Sequence, residues 1–315
     1  MKPLALAGMG SYTVGGRPVV VDGRERQTVS LSAGLAGIEH DPNGRYWVEQ
    51  AYVQYFVPHA RRFELPLVLI HGGGLTGSSW ETTPDGRPGW LHAFLAAGFE
   101  VHVVDNAERG RAGFCALPGQ WAGEPIVRSE EESWSLYRIG DAADYGRRMP
   151  FAGQRFPVAF LDELTRRTVP RWLGTVDAQR RALTALIERI GPCVLLGHSQ
   201  GGGFALELAA RRPDLVQCVV ALEPHGDFAS IGATPLDGRR ALAVFGDFIE
   251  RSALWRNLLG NAQAVLHAWR GAGGTADALW LRDEGLVGHS HMMMMDAGSE
   301  LIAERIAGWL AGAAR

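Results

Sequence analysis

Cysteine is scarce in this 315-residue chain, and the three present, Cys115, Cys193 and Cys218, cannot all pair. No disulfide framework is expected, and the last two lie in apolar runs where a free thiol serves as a small hydrophobe. Charge of one sign is lacking as well: 31 basic side chains stand against 34 acidic ones, a net charge of −3. Without a basic surplus or a Lys/Arg run, nucleic acid and anionic membrane surfaces are poor partners. No uninterrupted apolar segment reaches roughly 18 residues, the length that would suggest a membrane span. The opening stretch MKPLALAGMGSYTVGG has one Lys and an apolar patch broken by Pro3 and Gly8, too short for a signal-peptide core. Internal repeats, low-complexity tracts and metal-ligand clusters are missing too, so neither metal nor cofactor is implied. These absences point to a soluble protein whose partner is a small molecule. The cytoplasm is the expected compartment; trimming from an exported precursor and assembly as a homodimer both stay open.

What is present is enough apolar material for a large core, 46% hydrophobic against 21% charged residues. Apolar runs of strand length occur near 17–21, 50–57, 66–71, 99–105, 192–198, 217–223, 241–246 and 277–282. Helical patterns lie near 88–97, 177–190, 200–212, 252–271 and 298–312. Alternation of the two predicts an α/β fold, a mostly parallel eight-stranded sheet with helices on both faces. The first two strands have no helix between them and are expected to form an antiparallel edge. Asp177 is expected to cap the helix over 177–190, with Gly191 just past its end. One stretch, 111–176, breaks the rhythm: it is rich in Trp, Tyr, Phe, Arg and Pro without a strong period. An ordered insertion of that length within a single 1–315 domain reads as a cap or lid.

The sequence VLLGHSQGGGFALELAARR runs from a buried strand through Gly197-His198-Ser199-Gln200-Gly201 into a helix. G-x-S-x-G in that context is a nucleophile elbow, in which small residues on either side let strand and helix approach while the serine stands exposed on a strained turn. Ser199 is a weak nucleophile by itself and needs a base and an oxyanion hole. His71-Gly72-Gly73-Gly74 follows directly on an earlier buried strand, where this fold places flexible backbone. The amide of Gly73, with Gly74 as alternate, and that of Gln200 are the expected donors, and His71 is expected to support the loop. The base should come late in the chain. LVGHSHMMMMD offers His289 and His291, and His291 is preferred because it abuts a Met run that would cover the site. The acid should sit at a strand end. Glu223 closes the strand after the elbow and Asp247 follows the next one; Glu223 is preferred, with apolar flanks and Pro224 directly behind it. Trp80, Trp90, Trp121, Trp134, Tyr137 and Phe151 could line a pocket or form a small core of the cap, and WETTPDGRPGW reads equally as a turn scaffold or a site wall.

Taken together, HGGGLTGSSWETTPDGRPGW, VDNAERGRAGF, GHSQGGGFALELAARRPDLVQCVVALEP and GHSHMMMMD resemble the α/β-hydrolase superfamily and, within it, the bacterial esterase-713-like branch. The resemblance spans most of the chain from about Gly10, with 111–176 much less diagnostic. It implies a serine esterase in which the acid is a glutamate after the strand following the elbow, at Glu223, and the histidine is His291. The branch's best-known member has two adjacent cysteines where Gly73 and Gly74 stand here, so a redox-sensitive hole does not carry over. Serine at the elbow argues against a haloalkane dehalogenase. A carbon–carbon bond hydrolase or acyltransferase would keep the same triad and stays as the alternative, and a non-enzymatic binding protein would not need these groups together.

Overall fold

The computed structural model describes residues 3–226 and 228–313. Eight strands form one twisted sheet: β1 (Leu6–Val21), β4 (Gly44–Pro58), β5 (Leu67–Ile70), β6 (Val101–Asp105), β7 (Cys193–His198), β8 (Val216–Leu222), β9 (Arg240–Phe245) and β10 (Thr275–Trp280). Their spatial order is β1-β4-β6-β5-β7-β8-β9-β10. β1 and β4 run antiparallel, as does β4 against β6, and the pairs from β6 through β5 to β10 are parallel. Between β1 and β4, the short strands β2 (Gln27–Val29) and β3 (Ile38–His40) make a separate antiparallel ribbon that the hydrophobic pattern does not reveal.

The first strand is a correction to the sequence reading, which began it at residue 17; β1 begins at Leu6. Its glycines disguise it. Gly10 pairs with Tyr55, and a Cβ at Gly10 would stand 2.8 Å from the Tyr55 hydroxyl oxygen, so the aromatic ring fills the place of the missing side chain. The expected antiparallel edge is β1 on β4.

Helices cover both faces. On one, α4 (Val176–Ile190), α5 (Gln200–Arg211) and α6 (Ala253–Gly271) pack on Val68, Ile70, Leu195 and Val219. On the other, α1 (Trp90–Ala97) and α7 (Ser299–Ala313) pack on Leu67, Leu69, Leu196 and Val220. Successive strand residues thus feed opposite cores, as the two-residue pleat requires. In α7, Ile302, Ile306 and Leu310 recur at helical spacing, and burial stabilises each by roughly 1.5–3 kcal/mol. Helix α4 departs from expectation at its start. A 3₁₀ turn over Leu173–Thr175 runs straight into it, so the cap position falls on Thr175, while Asp177 lies in the first turn and pairs with Arg180. Gly191 ends the helix at φ 82°, in the left-handed half of backbone space that suits glycine.

Residues 111–176 contain α2 (Glu130–Leu136), whose N-cap Ser129 accepts from the Glu132 amide, the short α3 (Leu161–Thr165) and several 3₁₀ turns. Ile126 and Arg171 exchange two backbone hydrogen bonds that draw the segment's ends together. Trp134, Leu161 and Leu164 are buried and join the core beneath α1 and α7.

Candidate active site

The chain leaves β5, forms β6 on one side, and returns to form β7 on the other. Ligands of open α/β sheets bind outside the strand C-termini at such a reversal, and the two motifs singled out in the sequence meet there. Ser199 stands between β7 and α5 at φ 56°, ψ −118°, a conformation that non-glycine residues rarely hold. The glycines around it are required sterically. A Cβ at Gly197 would lie 2.2 Å from the Gly201 carbonyl oxygen, one at Gly201 2.4 Å from that of Ile70, and one at Gly203 2.2 Å from that of His225. Strand and helix can approach this closely only without side chains, and the approach leaves Ser199 at the mouth of a cavity.

That cavity, about 210 Å³, is bounded by Ser199, His291, Gly73, Tyr137 and Trp255 among others. Neither the Gly73 nor the Gln200 amide has an acceptor among the described residues. Gly74 adopts φ +74°, turning the loop after β5. His71 lies under this loop, donating from Nδ1 to the Gly72 carbonyl (2.8 Å) and accepting at Nε2 from the Asn106 amide (3.1 Å). Burial pushes its pKa down to about 4, so it is a neutral support.

His291 donates from Nδ1 to Oε2 of Glu223 at 2.6 Å, which leaves Nε2 toward the cavity that Ser199 shares; no hydrogen bond joins the two residues in this structure. Its backbone is held at two points and its ring at one. The Tyr137 carbonyl accepts its amide (3.0 Å), His198 Nε2 donates to its carbonyl (2.9 Å), and the Trp255 ring lies 4.2 Å away. Burial pushes the His291 pKa down, prevailing over the adjacent carboxylate, so the imidazole is neutral near pH 7.

Glu223 is buried and itself stands at positive φ, 42°. Besides His291 it accepts from the Gly246 amide (2.9 Å) and, in a fork, from Nη1 (2.8 Å) and Nη2 (2.5 Å) of Arg138. Burial alone would raise the carboxyl; the charge of Arg138 and the hydrogen bond from His291 prevail and hold its pKa at about 2. Arg138 is the functional residue that the sequence reading missed. It comes from the insertion, at φ 58°, donates from Nε to the Asp247 carbonyl (2.8 Å) and lies 4.4 Å from the Trp255 ring. Nothing in YRIGD marks it; only the need of a buried carboxylate for a counter-charge could have prompted the search.

The alternates are occupied elsewhere. Asp247 accepts from Arg282 (2.7 Å) and from the Gly288 amide (2.5 Å), and His289 donates to Asp296 (3.2 Å) within its own loop. The Met run is a further correction: Met292–Met295 are wholly buried in the core beneath α1 and α7 and do not cover the cavity. Of the six aromatics named from the sequence, only Tyr137 bounds it. Trp80, Trp90 and Trp134 are core, Trp121 packs with Trp172, and Phe151 with Phe248. WETTPDGRPGW is a turn scaffold, closed by Thr83 and Arg87 and tied by Arg87 to Asp85 and to the Met295 carbonyl. No group of three or more His, Cys, Asp or Glu among the described residues could hold a metal ion, and no helix among them is long and apolar enough to cross a membrane.

The chain has relatives among known proteins. A family model described as alpha/beta hydrolase fold matches residues 153–261. A bacterial esterase of known structure is 33% identical, with 100% of this chain and 98% of that one covered and a TM-score of 0.85. A protein of Fungal sp. named "Probable secreted lipase phiG" is 28% identical over 85% of this chain and 87% of its own length. Lipase LipV of Mycobacterium tuberculosis is 41% identical over 34% of this chain and 40% of its own. The chain belongs to the alpha/beta hydrolase fold family, in its esterase-like branch.

Proposed function

We propose that this hydrolase cleaves carboxylic esters of small to medium size by way of an acyl-enzyme, with Ser199 as nucleophile, His291 as base and Glu223 as the acid that orients it. The observation carrying this reading is the 2.6 Å hydrogen bond from His291 Nδ1 to Glu223, which fixes the tautomer with an unprotonated Nε2 open to the cavity of Ser199. His291 takes the Ser199 proton as Oγ attacks the ester carbonyl. The Gly73 and Gln200 amides receive the oxyanion, where one such donor contributes on the order of 10²–10³ in rate. Glu223 stays ionised and stabilises the imidazolium, which then protonates the departing alcohol. Water enters, loses a proton to His291 and releases the acid.

Residues 111–176 act in this proposal as a cap. Tyr137 and Arg171 from that segment bound the cavity, and Arg138 from it holds the acid. Arg138 is a positioning residue, since it reaches the reaction only through Glu223. The test is covalent labelling with a fluorophosphonate followed by peptide mapping, together with p-nitrophenyl ester turnover by Ser199→Ala. Label on Ser199 and a loss of several orders of magnitude are expected; label on another serine, or turnover retained by the variant, removes the assignment.

A further inference from the structure

The cavity that Ser199 shares is bounded by two guanidinium groups, one of them without a counterion among the described residues. Arg128 and Arg171, both from the insertion, bound the cavity together with His225, and no aspartate or glutamate does. Arg128 is partly accounted for by Glu132 on its outer side. Arg171 forms no ion pair among the described residues, and its Nε is buried without an acceptor. Its guanidinium packs over the oxyanion loop: a Cβ at Gly73 would be 2.6 Å from Nη1. A second residue that bounds the same cavity is left equally unsatisfied, since Tyr137 is 3% exposed and its buried hydroxyl has no partner. Arg109, which is not among the cavity's lining residues, is buried with Nε and Nη2 unpaired, and burial and then the charge of Arg171 lower its pKa.

Burying guanidinium donors and a phenol without acceptors costs stability, because water is lost and nothing replaces it. A neutral alkyl ester offers these groups little, since the Gly73 and Gln200 amides already receive its carbonyl and its alkoxy oxygen is a weak acceptor. A planar anion with two oxygens matches a guanidinium fork and keeps a further lone pair on each oxygen for a phenol. We propose that the substrate carries a free carboxylate besides its ester, as a dicarboxylic acid monoester or a carboxylated lactone does, and that Arg171, Arg128 and Tyr137 receive it. This rests on the serine-esterase reading for the bond cleaved, though the anion site is testable without it.

Two measurements separate the questions. Calorimetry on Ser199→Ala with glutarate reads the anion site alone; binding is expected, weakened about 100-fold by adding Arg171→Gln and partly restored with Arg171→Lys. In the wild type, pH-stat rates on monomethyl glutarate and on methyl pentanoate give a ratio of kcat/KM values. That ratio should favour the anionic ester and fall about 100-fold in Arg171→Gln. Absence of glutarate binding, or equal losses on both esters, overturns the proposal, the latter by making Arg171 part of the oxyanion hole. Hydrolysis of neither ester with glutarate binding intact would instead remove the esterase reading. Should Arg171→Gln fail to fold, Arg128→Gln carries the same comparison.

Discussion

Replacing Glu223 by glutamine changes one oxygen into an amide nitrogen and leaves the volume unchanged, so its effect can be worked out group by group. Each carboxylate oxygen faces two donors: Oε2 receives His291 Nδ1 and Arg138 Nη1, and Oε1 receives the Gly246 amide and Arg138 Nη2. Either orientation of the new amide sets a donor against donors. Gly246 and Arg138 cannot give up their protons, whereas His291 can move its own from Nδ1 to Nε2. The amide nitrogen therefore settles beside His291, which becomes the wrong tautomer and cannot take the Ser199 proton. The corresponding acid-to-amide change in a serine protease lowers kcat about 10⁴-fold, roughly 5.4 kcal/mol, and a loss of that order is expected here. Arg138 simultaneously loses its counter-charge, a buried vacancy that typically costs about 3–5 kcal/mol of stability. Steady-state turnover and urea unfolding of Glu223→Gln, with Asp247→Asn as control, measure the two effects. A Glu223→Gln enzyme within about tenfold of wild type, or an Asp247→Asn enzyme equally crippled, would refute the reasoning.

Two further outcomes follow from backbone and charge. Gly203→Ala brings a Cβ within 2.2 Å of the His225 carbonyl, with backbone on both sides and no flexible group to yield; a loss of about 3 kcal/mol or more by chemical denaturation is expected, and an unchanged midpoint would contradict the close approach. Burial raises the Glu108 carboxyl from its ordinary 4.5 to about 7, so it is protonated in the folded chain where the unfolded chain is ionised. Its contribution to stability is complete below about 4.5 and is lost as pH rises through about 7; Glu108→Gln should flatten that decline in urea midpoints between about pH 4.5 and 7, and an identical slope would remove Glu108 as its cause.

The elbow was legible because its requirement is local: Gly197, Gly201 and Gly203 are fixed by carbonyls of adjoining elements, and strand, turn and helix follow one another in sequence. The parallel strands were legible by their unbroken apolar runs. β1 was not, since its glycines make room for partners such as Tyr55 that come from another strand. Asp177 misled because a 3₁₀ turn lengthens the helix start by backbone geometry alone. The Met run misled because apolar residues beside a site and apolar residues under it read alike in one dimension. Arg138 lies 85 positions from Glu223 in a segment without periodicity, so their pairing exists only once the fold does.

The Arg138–Glu223 fork has a consequence for engineering. Inserted segments of enzymes are attractive modules to exchange between relatives when a new specificity is wanted. Here the donor segment would bring, or omit, the counter-charge of a group seated in the sheet, so a graft chosen for its pocket alone would arrive with a defect at a distance. Recombination libraries drawn from this protein should therefore inherit position 138 with the sheet, even when every neighbouring residue comes from another parent.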